Sequence, residues 1–181
     1  MSLDGVIQGP GGADEDTSGG FRQGGWISGY GDEILGAFLK SKMQSSFDLL
    51  IGRKTFDIWA KYWPYHEEGW PEVNQAIKYI VSNTLTTSSW QPAEILKGDI
   101  VSRLKEIKQE QGPDLHVWGS SELIQTLTKE HLVDAFWLMI YPLTLGNGKR
   151  LFGEGTLAAN FNLASLEITK TGILIANYEK R

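Results

Sequence analysis

The stretch Leu49-Leu50-Ile51-Gly52-Arg53-Lys54-Thr55-Phe56 decides how this chain is read. Phe47 to Ile51 is apolar except for Asp48, a pattern that predicts a buried strand. Gly52 lets the backbone turn sharply and come close to a ligand. From Arg53 onward the period becomes helical, with Trp59 three residues and Ala60 four residues after Phe56. A strand feeding a helix through glycine gathers backbone N–H groups and the positive helix end at one point, which favours an anion. Arg53 can grip a phosphate through two parallel hydrogen bonds, and Thr55 adds a hydroxyl. An ordinary strand–helix junction with a solvated arginine has the same pattern, so the rest of the chain must decide.

Working outward, the same grammar recurs. Upstream, Asp32 to Lys42 has helical spacing, with Ile34 and Phe38 on one face and Asp32 and Glu33 suiting the positive helix end. Gln8 to Gly25 is rich in glycine and acidic residues and reads as a flexible surface loop. A loop of that length inside a compact domain is uncommon unless it covers a site. Downstream, Trp63-Pro64 and Trp70-Pro71 bracket an aromatic loop, and Pro71 can open a short helix. Ile77 to Val81 predicts a strand that stops at Ser82-Asn83-Thr84, and Ala93 to Leu96 a short strand. Asp99 to Gln109 is a helix ending before Gly112-Pro113. Leu115 to Trp118 is a strand followed by Gly119-Ser120-Ser121 and a helix carrying Leu123, Ile124 and Leu127. Val133 to Tyr141 is a long apolar strand whose two apolar faces predict a central position or a subunit contact. Asn160 to Glu167 and Ile173 to Glu179 form an alternating pair with Gly172 in the turn.

Strands alternating with helices, then a strand pair, predict an α/β fold: a mixed, mostly parallel sheet with helices on both faces and an antiparallel C-terminal pair. Ligands of such sheets gather beyond the carboxyl ends of the strands. Gly52-Arg53, Ser82-Asn83 and Gly119-Ser120 all lie at such ends, which points to a phosphate-bearing ligand. No Walker-type Gly-Lys-Ser/Thr or G-x-G-x-x-G pattern accompanies them.

The 181 residues suit one domain, 1–181, with a full core, and 41% hydrophobic against 22% charged residues marks a globular chain. A net charge of −5 with scattered basic residues lacks the footprint of a nucleic-acid binder. The chain has no cysteine, which excludes disulfide and thiolate chemistry and suits a cytoplasmic setting. No apolar run approaches the roughly 20 residues that span a bilayer.

The ordered set Ser2-Leu3-Asp4-Gly5, Gly24-Gly25-Trp26, Gly52-Arg53-Lys54-Thr55-Phe56, Val117-Trp118-Gly119-Ser120 and Pro142-Leu143-Thr144-Leu145-Gly146-Asn147-Gly148-Lys149-Arg150-Leu151-Phe152 resembles a known family. It is similar to the reductase domain of the riboflavin-biosynthesis deaminase–reductase, of dihydrofolate-reductase-like fold, and above all to its stand-alone bacterial members. The resemblance covers nearly the whole chain. It implies NADPH as cofactor, a homodimer, and reduction of a small heterocyclic or carbonyl substrate, such as a riboflavin-pathway pyrimidine. It places the cofactor phosphates at Gly52, Arg53 and Thr55, the adenosine 2′-phosphate near Ser82 and Asn83, and the pyrophosphate at Gly119, Ser120 and Ser121. In the family several apolar residues precede Ser-Leu-Asp-Gly and lie beside the nicotinamide, so the first strand is expected to be truncated here. The acid that protonates the pterin in dihydrofolate reductase has no match in motif, which argues against a folate substrate.

Hydride transfer asks little of side chains beyond one proton donor. Asp4, placed at the cleft by the resemblance, is the catalytic candidate; the plainer reading is a turn residue capping N–H groups. Trp26 and Asp32 are the substrate-binding candidates, Trp26 as a wall for a flat heterocycle and Asp32 as the carboxylate nearest the expected pocket, although an acid there also serves simply as a helix-start residue. His66, His116 and His131 lack metal-ligand spacing, and no metal site is expected. The alternative function is a non-catalytic nucleotide-binding protein that keeps the fold, and a third is a structural domain without a nucleotide site.

Overall fold

The computed structural model describes residues 1–181. They fold as two compact units, one of residues 1–40 and 125–181, the other of residues 41–124. The mixed sheet expected from the sequence is built as two hydrogen-bonded sheets.

The unit of residues 41–124 carries the parallel sheet. Its strands are β1 (Phe47–Gly52), β2 (Lys78–Val81), β3 (Ala93–Leu96) and β4 (Asp114–His116), in the order β3-β2-β1-β4. Leu49 lies opposite Lys78 on one side and His116 on the other, and Gly52 opposite Val81. Because all four strands run the same way, their carboxyl ends share one edge of the sheet. β1 sits between β2 and β4, so the turns that follow these three strands are neighbours. β4 stops two residues short of the expected Trp118, and Val117-Trp118 lead into its turn. Helix α2 (Arg53–Trp59) follows β1, and α3 (Pro71–Gln75) opens on its proline as expected. Helix α4 (Ile100–Ile107) is capped by Asp99, whose carboxylate accepts from Ser102 N at 3.1 Å. Phe47, Leu49, Ile51, Phe56, Trp70, Val73, Ile80 and Trp90 form one core cluster. Burying each of its larger aliphatic side chains contributes about 1.5–3 kcal/mol.

The other unit carries β5 (Ala135–Ile140), β6 (Phe161–Ile168) and β7 (Leu174–Lys180), all antiparallel in the order β5-β7-β6. The C-terminal pair is as the alternation predicts, and β5 joins it through β7. The first residues run beside the end of β5: Ser2 forms a parallel bridge with Tyr141, whose N–H donates to Met1 O at 2.8 Å. Helix α1 (Glu33–Met43) lies mainly in this unit and packs Leu35 against Tyr141, Ile173 and Ile175. Helix α5 (Ser121–Lys129) runs from the parallel-sheet unit into this one. No helix is long and apolar enough to cross a membrane.

Candidate functional site

The three turns at the carboxyl edge of the parallel sheet are joined by hydrogen bonds. Ser120 Oγ accepts from Gly52 N at 3.0 Å and donates to Thr55 Oγ1 at 3.0 Å, tying the end of β4 to the end of β1 and to the first turn of α2. Gly119 and Ser120 both adopt left-handed backbone, at φ 61° and 59°. Glycine does this freely, whereas serine is strained there and is held by its neighbours. A Cβ on Gly119 would sit 3.4 Å from Thr55 Oγ1, so this turn lies flat against α2.

On the other side of β1, Arg53 Nη1 donates to Thr84 Oγ1 at 3.4 Å, and that oxygen lies 3.5 Å from Ser82 Oγ. Ser82 is buried, and its Oγ accepts from Leu85 N and Thr84 N at 3.0 and 3.3 Å, so it shapes the turn from within. Asn83 Oδ1 accepts from Gly98 N at 3.1 Å and braces this turn against the one after β3. Thus Gly52, Arg53, Thr55, Ser82, Asn83, Gly119 and Ser120 form one connected group, with Ser121 opening α5 beside it.

Two details differ from the expectation. The Gly52 N–H, read as open to an anion, is already bonded to Ser120 Oγ. The Arg53 guanidinium is held through Nε by both oxygens of Asp57, each at 2.8 Å. No side chain caps the first turn of α2, and the leading N–H groups of a helix lack intrahelical partners. With the Thr55 hydroxyl and the outer nitrogens of Arg53, they are the donors suited to a phosphate. Asp57 and Thr84 were missed as site residues. Asp57 was findable, since it follows Arg53 by four on an expected helix, where side chains meet.

The remaining candidates lie in the other unit. Asp4 is not set up as a proton donor. Its Oδ1 accepts from Ser2 Oγ at 2.6 Å and from Leu145 N at 3.0 Å, its Oδ2 from Gly146 N at 2.7 Å, and Arg150 Nη2 lies 3.7 Å away. These donors, Ser2 foremost, bring its pKa down to about 2. Asp4 is therefore a charged clamp on the 145–146 backbone, the capping role at longer range than a local turn. Asp32 likewise caps structure: Oδ1 accepts from Leu35 N at 2.9 Å at the start of α1, and Oδ2 from Lys170 N at 2.6 Å in the β6–β7 turn. The bond from Leu35 N leads those that lower its pKa. Both oxygens are thus engaged by the fold, which removes the reason for reading Asp32 as a substrate ligand.

Trp26 packs edge-on against Tyr141 with ring centroids 5.3 Å apart, and its Nε1 donates to Gln8 O at 2.8 Å. The loop read as flexible is cross-tied through Gln8, which is buried; its Nε2 donates to Asp16 O and Ser18 O at 3.0 and 2.9 Å, and its Oε1 accepts from Lys149 N at 3.0 Å. The Lys149 ammonium meets Asp16 Oδ2 at 2.5 Å across the same loop. His116 stacks on Phe47 at 5.0 Å and His66 on Tyr62 at 3.8 Å, packing roles for both rings.

A four-stranded parallel sheet with a polar turn at each of three neighbouring strand ends, together with a three-stranded antiparallel sheet, is the architecture of the dihydrofolate-reductase-like class. The chain belongs to the RibD C-terminal domain family, whose match runs over residues 1–175 and so through both units. Among curated proteins it is similar to YyaP of Bacillus subtilis (strain 168), described as uncharacterized, with 32% identity over 132 residues and 70% of each chain covered. Among solved structures, a Shewanella sp. PV-4 protein provisionally assigned to riboflavin biosynthesis matches with TM-score 0.69 at 23% identity, covering 100% of this chain and 95% of the other. A diaminohydroxyphosphoribosylaminopyrimidine deaminase/5-amino-6-(5-phosphoribosylamino)uracil reductase of Thermotoga maritima matches at 0.64 and 14% identity, covering 100% of this chain and 54% of the other. Dihydrofolate reductase of Enterococcus faecalis, complexed with NADP(H), matches at 0.55 and 13% identity, covering 82% of each. At these identities the structural likenesses define the fold.

Proposed function

We propose that this protein is an NADPH-dependent reductase of a small heterocyclic or carbonyl substrate, with a pyrimidine of the 5-amino-6-(5-phosphoribosylamino)uracil kind as the family-level substrate. The observation that carries this reading is the connected group of donors at the ends of β1, β2 and β4. Membership of the RibD C-terminal domain family supports it. So do the uracil reductase and the NADP(H)-bound dihydrofolate reductase among the structures of like fold.

In this reading the two units make one reductase domain. Arg53, Thr55 and the leading N–H groups of α2 hold cofactor phosphates, with Gly119 and Ser121 beside them. Gly52 and Ser120 fix the turn by their mutual bond, while Ser82 and Asn83 shape the neighbouring one. NADPH, when bound, supplies the hydride. The protein's share is to hold the phosphates and to offer Trp26 as a flat apolar surface for the substrate ring. Asp4 keeps its proton off at neutral pH, so we assign the proton that completes the reduction to water.

The exposed strand β6 supports the homodimer that the resemblance implies. It is an edge strand, and Leu163, Leu166 and Ile168 are 51%, 52% and 60% exposed. Its eight residues, FNLASLEI, contain no lysine or proline to protect the edge. A cytoplasmic setting fits the absence of cysteine.

The engagement of Asp4 favours one second reading, a nucleotide-binding protein without turnover. The deciding experiment follows NADPH oxidation with a panel of pyrimidine and carbonyl substrates. Turnover with any of them supports the reductase; NADPH binding without turnover across the panel supports the second reading.

A further inference from the structure

The Arg53–Asp57 pair runs against what its helix favours. Arg53 is the first residue of α2 and Asp57 lies in its last turn. A cation at the positive end and an anion toward the negative end are the reverse of the arrangement that stabilises a helix. At i,i+4 the acid-first order is also the better one. With side chains 39% and 45% exposed, the pair adds little to stability by itself. Its geometry nevertheless restricts the arginine. Both Asp57 oxygens sit 2.8 Å from Nε, the inner nitrogen of the guanidinium, while Nη1 points to Thr84 Oγ1 at 3.4 Å. The acid therefore occupies the one donor on Nε and leaves the outer fork turned toward the turn after β2.

We propose that Asp57 is a positioning residue: it holds the Arg53 fork toward the β2 turn and so sets the preference for a dinucleotide bearing an extra phosphate over the same dinucleotide without it. The inference rests on the nucleotide reading above. NADPH and NADH, which differ by that one phosphate, are the probes. Without Asp57, Arg53 has only the weak Thr84 contact to hold it, and ordering a long side chain on binding costs affinity.

The test measures dissociation constants for NADPH and NADH with the unaltered chain and with Asp57→Asn, Asp57→Glu and Arg53→Ala, each variant's fold checked by circular dichroism. The expected result is a roughly tenfold loss of NADPH affinity in Asp57→Asn with NADH unchanged, recovery in Asp57→Glu, and loss of preference in Arg53→Ala. An unchanged preference in Asp57→Asn, with Arg53→Ala still losing it, overturns the role of Asp57 and leaves the nucleotide reading standing. Tighter NADPH binding in Asp57→Asn identifies Asp57 as a competing anion, and equal weakening of both nucleotides a merely structural role; each overturns the proposal. An unaltered chain that binds neither nucleotide overturns the reading and the proposal together.

Discussion

Ser120 Oγ accepts the N–H of Gly52 at 3.0 Å and so ties the turn after β4 to the turn after β1. Both turns face the edge where the sheet's strand ends meet, and Ser120 holds a left-handed backbone to make the contact. Gly52 itself keeps an ordinary extended backbone, φ −76° and ψ 161°, and a Cβ there would meet Ser120 only at 3.7 Å, so the sharp turn expected of the glycine is absent and its amide is consumed in bracing the turn after β4.

Ser120→Ala therefore removes the acceptor for Gly52 N and the donor to Thr55 while keeping the backbone strain. Leaving a partly buried amide without a partner costs about 1–3 kcal/mol. Denaturant unfolding should report that loss, with a lowered midpoint and an unchanged slope. A variant as stable as the parent would mean that the link between the two turns is incidental.

Asp4→Asn separates a clamp from a catalyst. Loss of a general acid typically lowers the rate by roughly 10²–10⁴-fold. As a clamp, Asp4→Asn should lower stability yet reduce turnover less than about tenfold, short of the general-acid range. Its folded pKa of about 2 lies below the ordinary 3.8, so its stabilisation is present above about 3.8 and disappears as pH falls toward 2. Acid unfolding of the parent should thus steepen in that window relative to Asp4→Asn. Equal acid profiles would contradict the clamp.

Lys78 supplies an alkaline counterpart. The side chain is 0% exposed at the start of β2, with Nζ donating to Asn74 O and Gln91 O at 2.8 and 3.2 Å and lying 4.6 Å from the centre of the Trp90 ring. Burial, the larger cause, pushes its pKa down from 10.5 to about 8, and the charge of Asp48 acts the other way. Between those values the unfolded chain binds the extra proton, so stability rises with pH from about 8 upward; below about 8 both states are protonated and the burial cost is complete. Tyr79, raised by burial, works in the opposite direction above its ordinary 10.0. Unfolding free energy followed from about pH 7.5 to about 9.5 should climb in the parent and stay flatter in Lys78→Met. The same slope in both would assign the pH dependence elsewhere.

The sequence made the elements legible where periodicity was strong. The run Phe47–Ile51, the Pro71 helix start and the alternation of the C-terminal pair all emerged within a residue or two of their observed bounds. The grouping of the three turns was also legible, because parallel strands force their carboxyl ends together. What escaped was every contact whose partner lies far along the chain. Asp4 meets Leu145 and Gly146, Asp32 meets Lys170, and Gln8 meets Lys149, and no local pattern encodes such pairs. Those contacts turn two expected site acids into structural caps and an expected flexible loop into a cross-tied one. Asp57 is a different case: its i,i+4 spacing from Arg53 is local and visible, but a base-first pair at a helix start is the less favourable order, so the spacing alone does not mark it as a contact.

A dinucleotide phosphate site built around Arg53 should show in thermal unfolding with and without NADPH. At about 100 times its dissociation constant a ligand adds about 2.7 kcal/mol. For a chain of this size that should raise the midpoint by roughly 5–10 °C. The expected result is that shift in the unaltered chain, a smaller one with NADH, and loss of most of it in Arg53→Ala; no shift with NADPH would rule the site out.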